Sequence, residues 1–184
     1  MTTKIKTKDL VISALLIAIG ILIPMIFTGL PFRIVVGPYS ATLMAHVPVI
    51  IAMFISPWTA VFTAIGTTIG FFFTAPLIVA VRAASHVAFA ILGAALIKKG
   101  MRALPLCILT GILHAVLEGI VVMIFYVGGF STPNAGYTIS LLVLITIVGT
   151  FIHHCVDFVI SYAVGKGLAR AKMLPALPPV WSKK

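Results

Sequence analysis

The sequence predicts an all-α membrane protein with six transmembrane helices. Of its 184 residues, 61% are hydrophobic and only 9% are charged, which is too little polar surface to cover a soluble domain. Because a span needs about 20 largely apolar residues, the chain has room for roughly six spans joined by short connections. We therefore treat residues 1–184 as a single integral membrane domain.

Turn-forming residues divide the apolar sequence into six segments. Prolines and glycines recur between residues 28 and 40, and a polar, glycine-rich stretch precedes the last segment. The second and third segments are short for two full crossings, which allows tilted, broken or partly re-entrant helices there. We place the spans at residues 9–27, 41–55, 59–75, 77–97, 103–127 and 139–165.

The distribution of basic residues orients this bundle. If the N-terminus is cytoplasmic, every Lys and Arg falls on the inner side except Arg33, in an outer loop, and Arg82, within a span. The positive-inside rule predicts this asymmetry, so both termini are expected in the cytoplasm, with residues 172–184 as a flexible tail. The same topology explains the net charge of +10, because nucleic-acid binding would need one contiguous basic surface.

Ionisable residues occur in pairs, four positions apart, in each of the last three spans. Each pair lies on one face of its helix. A charge inside a membrane costs about 2.5 to 3.5 kcal/mol on the insertion scale, so such groups normally face the bundle interior or a watery cavity. We expect the pairs to converge on one polar site. They are Arg82 with His86, His114 with Glu118, and His153 with Asp157.

Two further patterns carry a resemblance to a known family. In the first span, Ala14 and Ala18 stand one helical turn apart behind a basic N-terminus, and small residues at this spacing let another helix approach closely. The run GPYSATLMAHVPV occupies residues 37–49. With six short spans, these features resemble the substrate-binding S component of an energy-coupling factor (ECF) vitamin transporter, most closely the niacin type.

The resemblance implies both the fold and the partners. S components are multi-pass proteins of the prokaryotic plasma membrane that deliver a vitamin to a transmembrane T component, which works with two cytoplasmic ATPases. It implies that Ala14 and Ala18 dock on the T component, whereas packing within the bundle is the alternative. It also implies that loop 28–40 gates a pocket formed mainly by helices 4 to 6. The chain itself has no Gly-x-x-x-x-Gly-Lys-Ser/Thr loop, so energy must come from partners or from a gradient.

Arg82 is the first candidate for contact with a substrate. Its planar guanidinium suits a carboxylate or phosphate, and a permanent ion pair with Glu118 is an equally consistent role. His86 and His114 would hydrogen-bond a heteroaromatic ring, or else join neighbouring helices. His153 is a further pocket candidate. For Asp157, deeper in its span, we expect a structural or gating role.

Aromatic and amide groups near the outer mouth complete the candidate set. Tyrosines offer flat apolar faces with polar tips, although they also anchor proteins at membrane interfaces. For the amide, hydrogen bonding to backbone groups in a turn is the alternative role. These candidates are Tyr39, Tyr126, Asn134 and Tyr137.

Among vitamins, niacin fits these residue types best, because it combines a carboxylate with a small pyridine ring. Pantothenate, thiamine or pyridoxine precursors remain alternatives, as does a proton-coupled secondary transporter that uses the buried carboxylates and histidines as a relay. We expect no enzyme, because no nucleophile arrangement or complete metal motif is present. We expect no metal or cofactor either, since Arg82 brings a positive charge into the same layer.

Overall fold

The computed structural model describes residues 5–36, 39–130 and 136–180, and helices dominate it. A β-hairpin follows the first helix, and the fourth helical rod is divided into two helices, α4 and α5. The elements in chain order are α1 (Thr7–Ile26), β1 (Arg33–Val36), β2 (Tyr39–Thr42), α2 (Val47–Ile55), α3 (Pro57–Thr74), α4 (Leu77–Ala84), α5 (His86–Lys98), α6 (Ala103–Val127) and α7 (Ile139–Arg170).

Four helical stretches in the described ranges are long and apolar enough to cross a membrane. They are α1, the α4 and α5 pair taken together, α6 and α7, and they correspond to the first, fourth, fifth and sixth predicted spans. The fourth is interrupted at Ser85, whose N–H bonds to the carbonyl of Arg82 at 3.0 Å in a tighter turn. The sixth continues past its predicted end, to Arg170.

The prediction of a second span over residues 41–55 is wrong in its first part. Strand β2 and a turn occupy that part, and Met44 in the turn has a positive φ of 69°. The helix begins only at Val47, with a proline in its first turn, where proline is tolerated. Its nine residues span about 14 Å, which is far short of a bilayer core.

Helix α2 looks like a membrane span in sequence because it is apolar on every side. All residues from Pro48 to Phe54 are buried, in contact with α1, α3, α5 and α7. A helix that is hydrophobic all round lies either in lipid or inside a protein core, and composition does not distinguish the two. Helix α2 lies inside the protein core.

Close packing of α1 on α3 depends on two glycines. The side chains of Ile17 and Ile21 fill the space where a Cβ on Gly66 or Gly70 would lie. This face of α1 is therefore occupied within the bundle, whereas Ala14 and Ala18 are exposed.

The β-hairpin occupies the segment expected to gate the pocket. Its strands pair antiparallel, with Arg33 opposite Thr42 and Val36 opposite Tyr39. The carbonyl of Thr42 accepts a hydrogen bond from His153 Nε2 at 3.0 Å, which ties β2 to α7.

The described part of the predicted tail lies against the bundle. It is not helical, but the Tyr162 hydroxyl donates to the carbonyl of Pro178 at 2.7 Å, and the N–H of Ala103 donates to the carbonyl of Pro179 at 3.0 Å. Leu177 packs over Gly165. These contacts hold the segment beside the start of α6.

Candidate functional site

A cavity of about 360 Å³ lies between the hairpin and the helices. This volume is near the lower end of the range of about 300 to 1,000 Å³ that is usual for small-molecule sites. Among the predicted site residues, four contribute to its wall. They are Arg82 of α4, His86 of α5, Glu118 of α6 and His153 of α7.

Arg82 and Glu118 form a buried ion pair at this wall. Arg82 Nη2 donates to Glu118 Oε2 at 2.7 Å, and each residue is only 4% exposed. The Thr150 hydroxyl donates to the same carboxylate oxygen, and Arg82 Nη2 lies 3.4 Å from the carbonyl of Ser40 in β2. A guanidinium has five N–H donors, so this ion pair is compatible with a ligand contact by Arg82.

Histidine rings cluster beside the ion pair. The ring of His46, just before α2, lies 4.8 Å from that of His86, 4.7 Å from that of His114 and 4.5 Å from that of His153, between centroids. His114 is fully buried behind the wall, with its Nε2 3.4 Å from Glu118 Oε1. The cluster therefore continues from the cavity into the protein.

Asp157 joins the hairpin, α2 and α7. Its carboxylate accepts backbone N–H bonds from Met44 at 2.8 Å and from His46 at 3.0 Å. His46 Nδ1 lies 3.0 Å and His153 Nε2 3.2 Å from its Oδ2. A carboxylate at this place also complements the positive end of the α2 dipole. The sequence favoured a structural or gating role for Asp157, and these contacts support that hypothesis.

The outer-mouth candidates are separated in space. Tyr39 is buried, and its ring centroid lies 5.8 Å from Arg82 Cζ. Burial raises the pKa of Tyr39 to about 12, so its phenol stays neutral. Tyr126 is half-buried and Tyr137 exposed, and the cavity wall, as far as the structure describes it, includes neither. Asn134 lies outside the described residues.

Sequence reasoning missed two ionisable residues of the cavity wall, Arg33 and His46. Arg33 Nε is buried and has no hydrogen-bond partner within the described ranges. Its signal in the sequence was its position as the single basic residue of the predicted outer loops. His46 was not selected as a site candidate because it lies inside a predicted span, although an intramembrane histidine is itself a functional signal.

The chain has a clear relative of known transport activity. It is 38% identical over 178 residues to the niacin transporter NiaX of Lactococcus lactis subsp. cremoris (strain MG1363), an alignment that covers 92% of this chain and 78% of that protein. No family model matches the chain, and no solved structure does.

Proposed function

The chain belongs to the niacin-type family of ECF S components, and on this premise we propose that it captures niacin from outside the cell as the substrate-binding subunit of an ATP-driven importer. The relative is named for niacin transport. A vitamin-transporter role follows from this relationship, and the residues of the cavity support the choice of vitamin.

The observation that carries this choice is a pair of guanidinium groups in one small cavity. Arg33 from the hairpin and Arg82 from α4 both line it. The planar fork of an arginine matches a carboxylate, and burial strengthens such a contact because water is largely excluded. An anionic ligand held by both would join the hairpin to the helices.

The remaining wall suits a small ring. The imidazoles of His46, His86 and His153 line the same cavity, where they offer flat faces and ring nitrogens for hydrogen bonds. Pantothenate is the second candidate because it also carries a carboxylate. Thiamine and pyridoxine precursors have no carboxylate, so they would offer neither guanidinium group an anionic group to bind.

Energy coupling completes the proposal. The chain has no phosphate-binding loop of its own, so ATP hydrolysis would be supplied by two cytoplasmic ATPases through a T component. The exposed Ala14 and Ala18 on α1 are the proposed docking surface. Both termini are placed in the cytoplasm, because the positive-inside rule favours that side for nearly all basic residues.

Calorimetric titration of the purified protein with nicotinate and with nicotinamide tests the choice of ligand. The two share one ring and differ in the carboxylate, so we expect nicotinamide to bind at least about tenfold more weakly, as the loss of a charged hydrogen bond predicts. Pantothenate is the comparison ligand. Equal affinity for acid and amide, or tighter binding of pantothenate, would contradict the proposal, and native mass spectrometry identifies any ligand that copurifies.

A further inference from the structure

Three histidines and one carboxylate converge where the cavity meets the buried part of the bundle. His46, His86, His114 and Glu118 each place one potential ligand atom within 4.8 Å of the others, and all four residues are buried. We propose that these residues bind a divalent first-row transition-metal ion, with zinc as the reference case. This inference concerns the site itself and goes beyond the transport of niacin.

A hydrogen-bond chain behind the site fixes the proton on His114. The Thr110 hydroxyl donates to the carbonyl of Leu106 at 2.7 Å, so its oxygen is left to accept from His154 Nε2 at 3.0 Å. A neutral imidazole protonated at Nε2 accepts at Nδ1, and His114 Nδ1 lies 3.2 Å from that atom. His114 therefore carries its proton on Nδ1 and a lone pair on Nε2.

That lone pair points at another electron-pair donor. His114 Nε2 lies 3.4 Å from Glu118 Oε1 and has no hydrogen-bond partner in the described part of the chain. Two such groups repel one another unless a cation lies between them. In a tetrahedral site with bonds of about 2.1 Å, neighbouring ligand atoms are about 3.4 Å apart, which is the separation seen here.

The surrounding contacts leave the required atoms available. Asp157 Oδ2 lies 3.0 Å from His46 Nδ1, and a carboxylate that accepts the other ring proton is the usual support of a metal-binding histidine. Arg82 and Thr150 both donate to Glu118 Oε2. Oε1 is therefore the oxygen that faces His114 and, at 4.0 Å, His86 Nε2.

The charges around the site do not exclude a cation. The sequence led us to expect no metal because Arg82 adds positive charge, but Arg82 is bonded to the other oxygen of Glu118. Arg33 and Arg82 together balance Glu118 and Asp157, so neutral histidines leave no net positive charge to oppose a cation. Imidazole with carboxylate is a ligand set typical of zinc, cobalt, nickel and iron.

Cobalt titration of the full-length protein, free of vitamin and with any affinity tag removed, tests the site. We expect about one Co²⁺ per chain with the strong visible absorption of a four-coordinate ion, displaced by Zn²⁺. His86→Ala and Glu118→Gln should each weaken binding at least about tenfold, and Asp157→Asn by about 10- to 100-fold through His46. Thermal unfolding confirms that each variant is folded.

A Cys107→Ser, Cys155→Ser double variant is the control, because these thiols are the competing soft donors of the bundle. It should bind cobalt as the parent does. Absence of cobalt and zinc binding by the parent would overturn the proposal. A proton on His114 Nε2, donated to Glu118 Oε1, would then explain the short distance between these two atoms. Binding that survives in His86→Ala and Glu118→Gln but is lost in the cysteine variant would overturn it as well. Because no vitamin is present, either result is independent of the niacin proposal.

Discussion

At the scale of single residues, Glu118 is the group on which the polar contacts of the site meet. One carboxylate oxygen accepts from Arg82 on α4 and from Thr150 on α7, while the other faces His114 on its own helix. A buried carboxylate is stabilised only when its hydrogen bonds are made. Three helices are thereby held in register by one side chain.

Substitution of Arg82 separates charge from geometry. We expect Arg82→Ala to weaken niacin binding by about 1.5 kcal/mol or more, because a charge-assisted contact is lost. Arg82→Lys keeps the charge but loses the planar fork, so the affinity of this variant for niacin should fall between those of the parent protein and Arg82→Ala. Calorimetry measures both affinities and thermal unfolding checks the fold. Parental affinity in folded Arg82→Ala would show that Arg82 serves the ion pair alone.

Two buried threonines on α7 provide a matched pair for stability. Thr150 donates to Glu118, whereas Thr146 donates to the carbonyl of Leu142 within its own helix at 2.9 Å. Thr150→Val should lower the free energy of unfolding by about 1.5 to 3 kcal/mol, the value of a hydrogen bond to a charged group. Thr146→Val should lower it clearly less. The midpoints of thermal unfolding decide the matter, and equal midpoints would show that Thr150 contributes little.

The sequence predicted the paired residues better than their neighbours. Spacing of four places His114 with Glu118 because helical geometry determines which side chains share a face, and Arg82 and His86 still line one cavity although their helix is interrupted at Ser85. Arg33 and His46 reach the cavity through a hairpin and a turn. Their positions depend on tertiary contacts such as those of Asp157, which no local pattern encodes.

At the scale of elements, α1 has one packed face and one exposed face. Ile17 and Ile21 pack over the glycines of α3, while Ala14 and Ala18 remain uncovered. In a lipid environment, exposed small residues let a partner helix approach closely. The arrangement supports an intermolecular role for the alanines.

Tryptophan at the exposed alanines tests docking. Ala14→Trp and Ala18→Trp should leave niacin binding by the isolated protein unchanged, because neither position lines the cavity, and should abolish uptake by blocking close helix approach. Ile19→Trp, at a position that is exposed and already large, is the control. Binding is measured by calorimetry and uptake with labelled niacin. Loss of binding in the alanine variants would place these residues in internal packing instead.

The helices that cross the membrane were easier to predict than the segment before α3. Long apolar stretches with few charges follow directly from the cost of exposing polar groups to lipid. A buried short helix such as α2 has the same composition, and its true start at Val47 depends on a turn that Asp157 of α7 supports. That interaction joins positions more than one hundred residues apart.

At the scale of the whole molecule, composition was sufficient for the fold class. The all-α membrane architecture and the resemblance to niacin-type S components are confirmed by the helices and by the 38% identical relative. The hairpin that lines the cavity was expected as a loop, with the end of its second strand inside the second span. Its strands are four residues each, too short for alternation to be distinguished from an irregular connection.

Reconstitution into vesicles tests the source of energy. With the T component and both ATPases, uptake of labelled niacin should require ATP inside the vesicle and should persist when an ionophore removes the proton gradient. A vesicle that contains this chain alone should bind niacin without accumulating it, because the chain has no nucleotide-binding loop. Accumulation by the chain alone that collapses with the ionophore would support the proton-coupled alternative.

The ring of Tyr39 in β2 packs directly on Gly149 of α7, where there is no room for an added carbon unless the ring moves. A Cβ at position 149 would lie 2.6 Å from the aromatic ring, inside the distance at which atoms overlap. A Gly149→Ala variant would therefore force the Tyr39 ring out of its present position, while the helix itself gains a better former. One substitution at position 149 would thus show how far the site depends on where the Tyr39 ring lies.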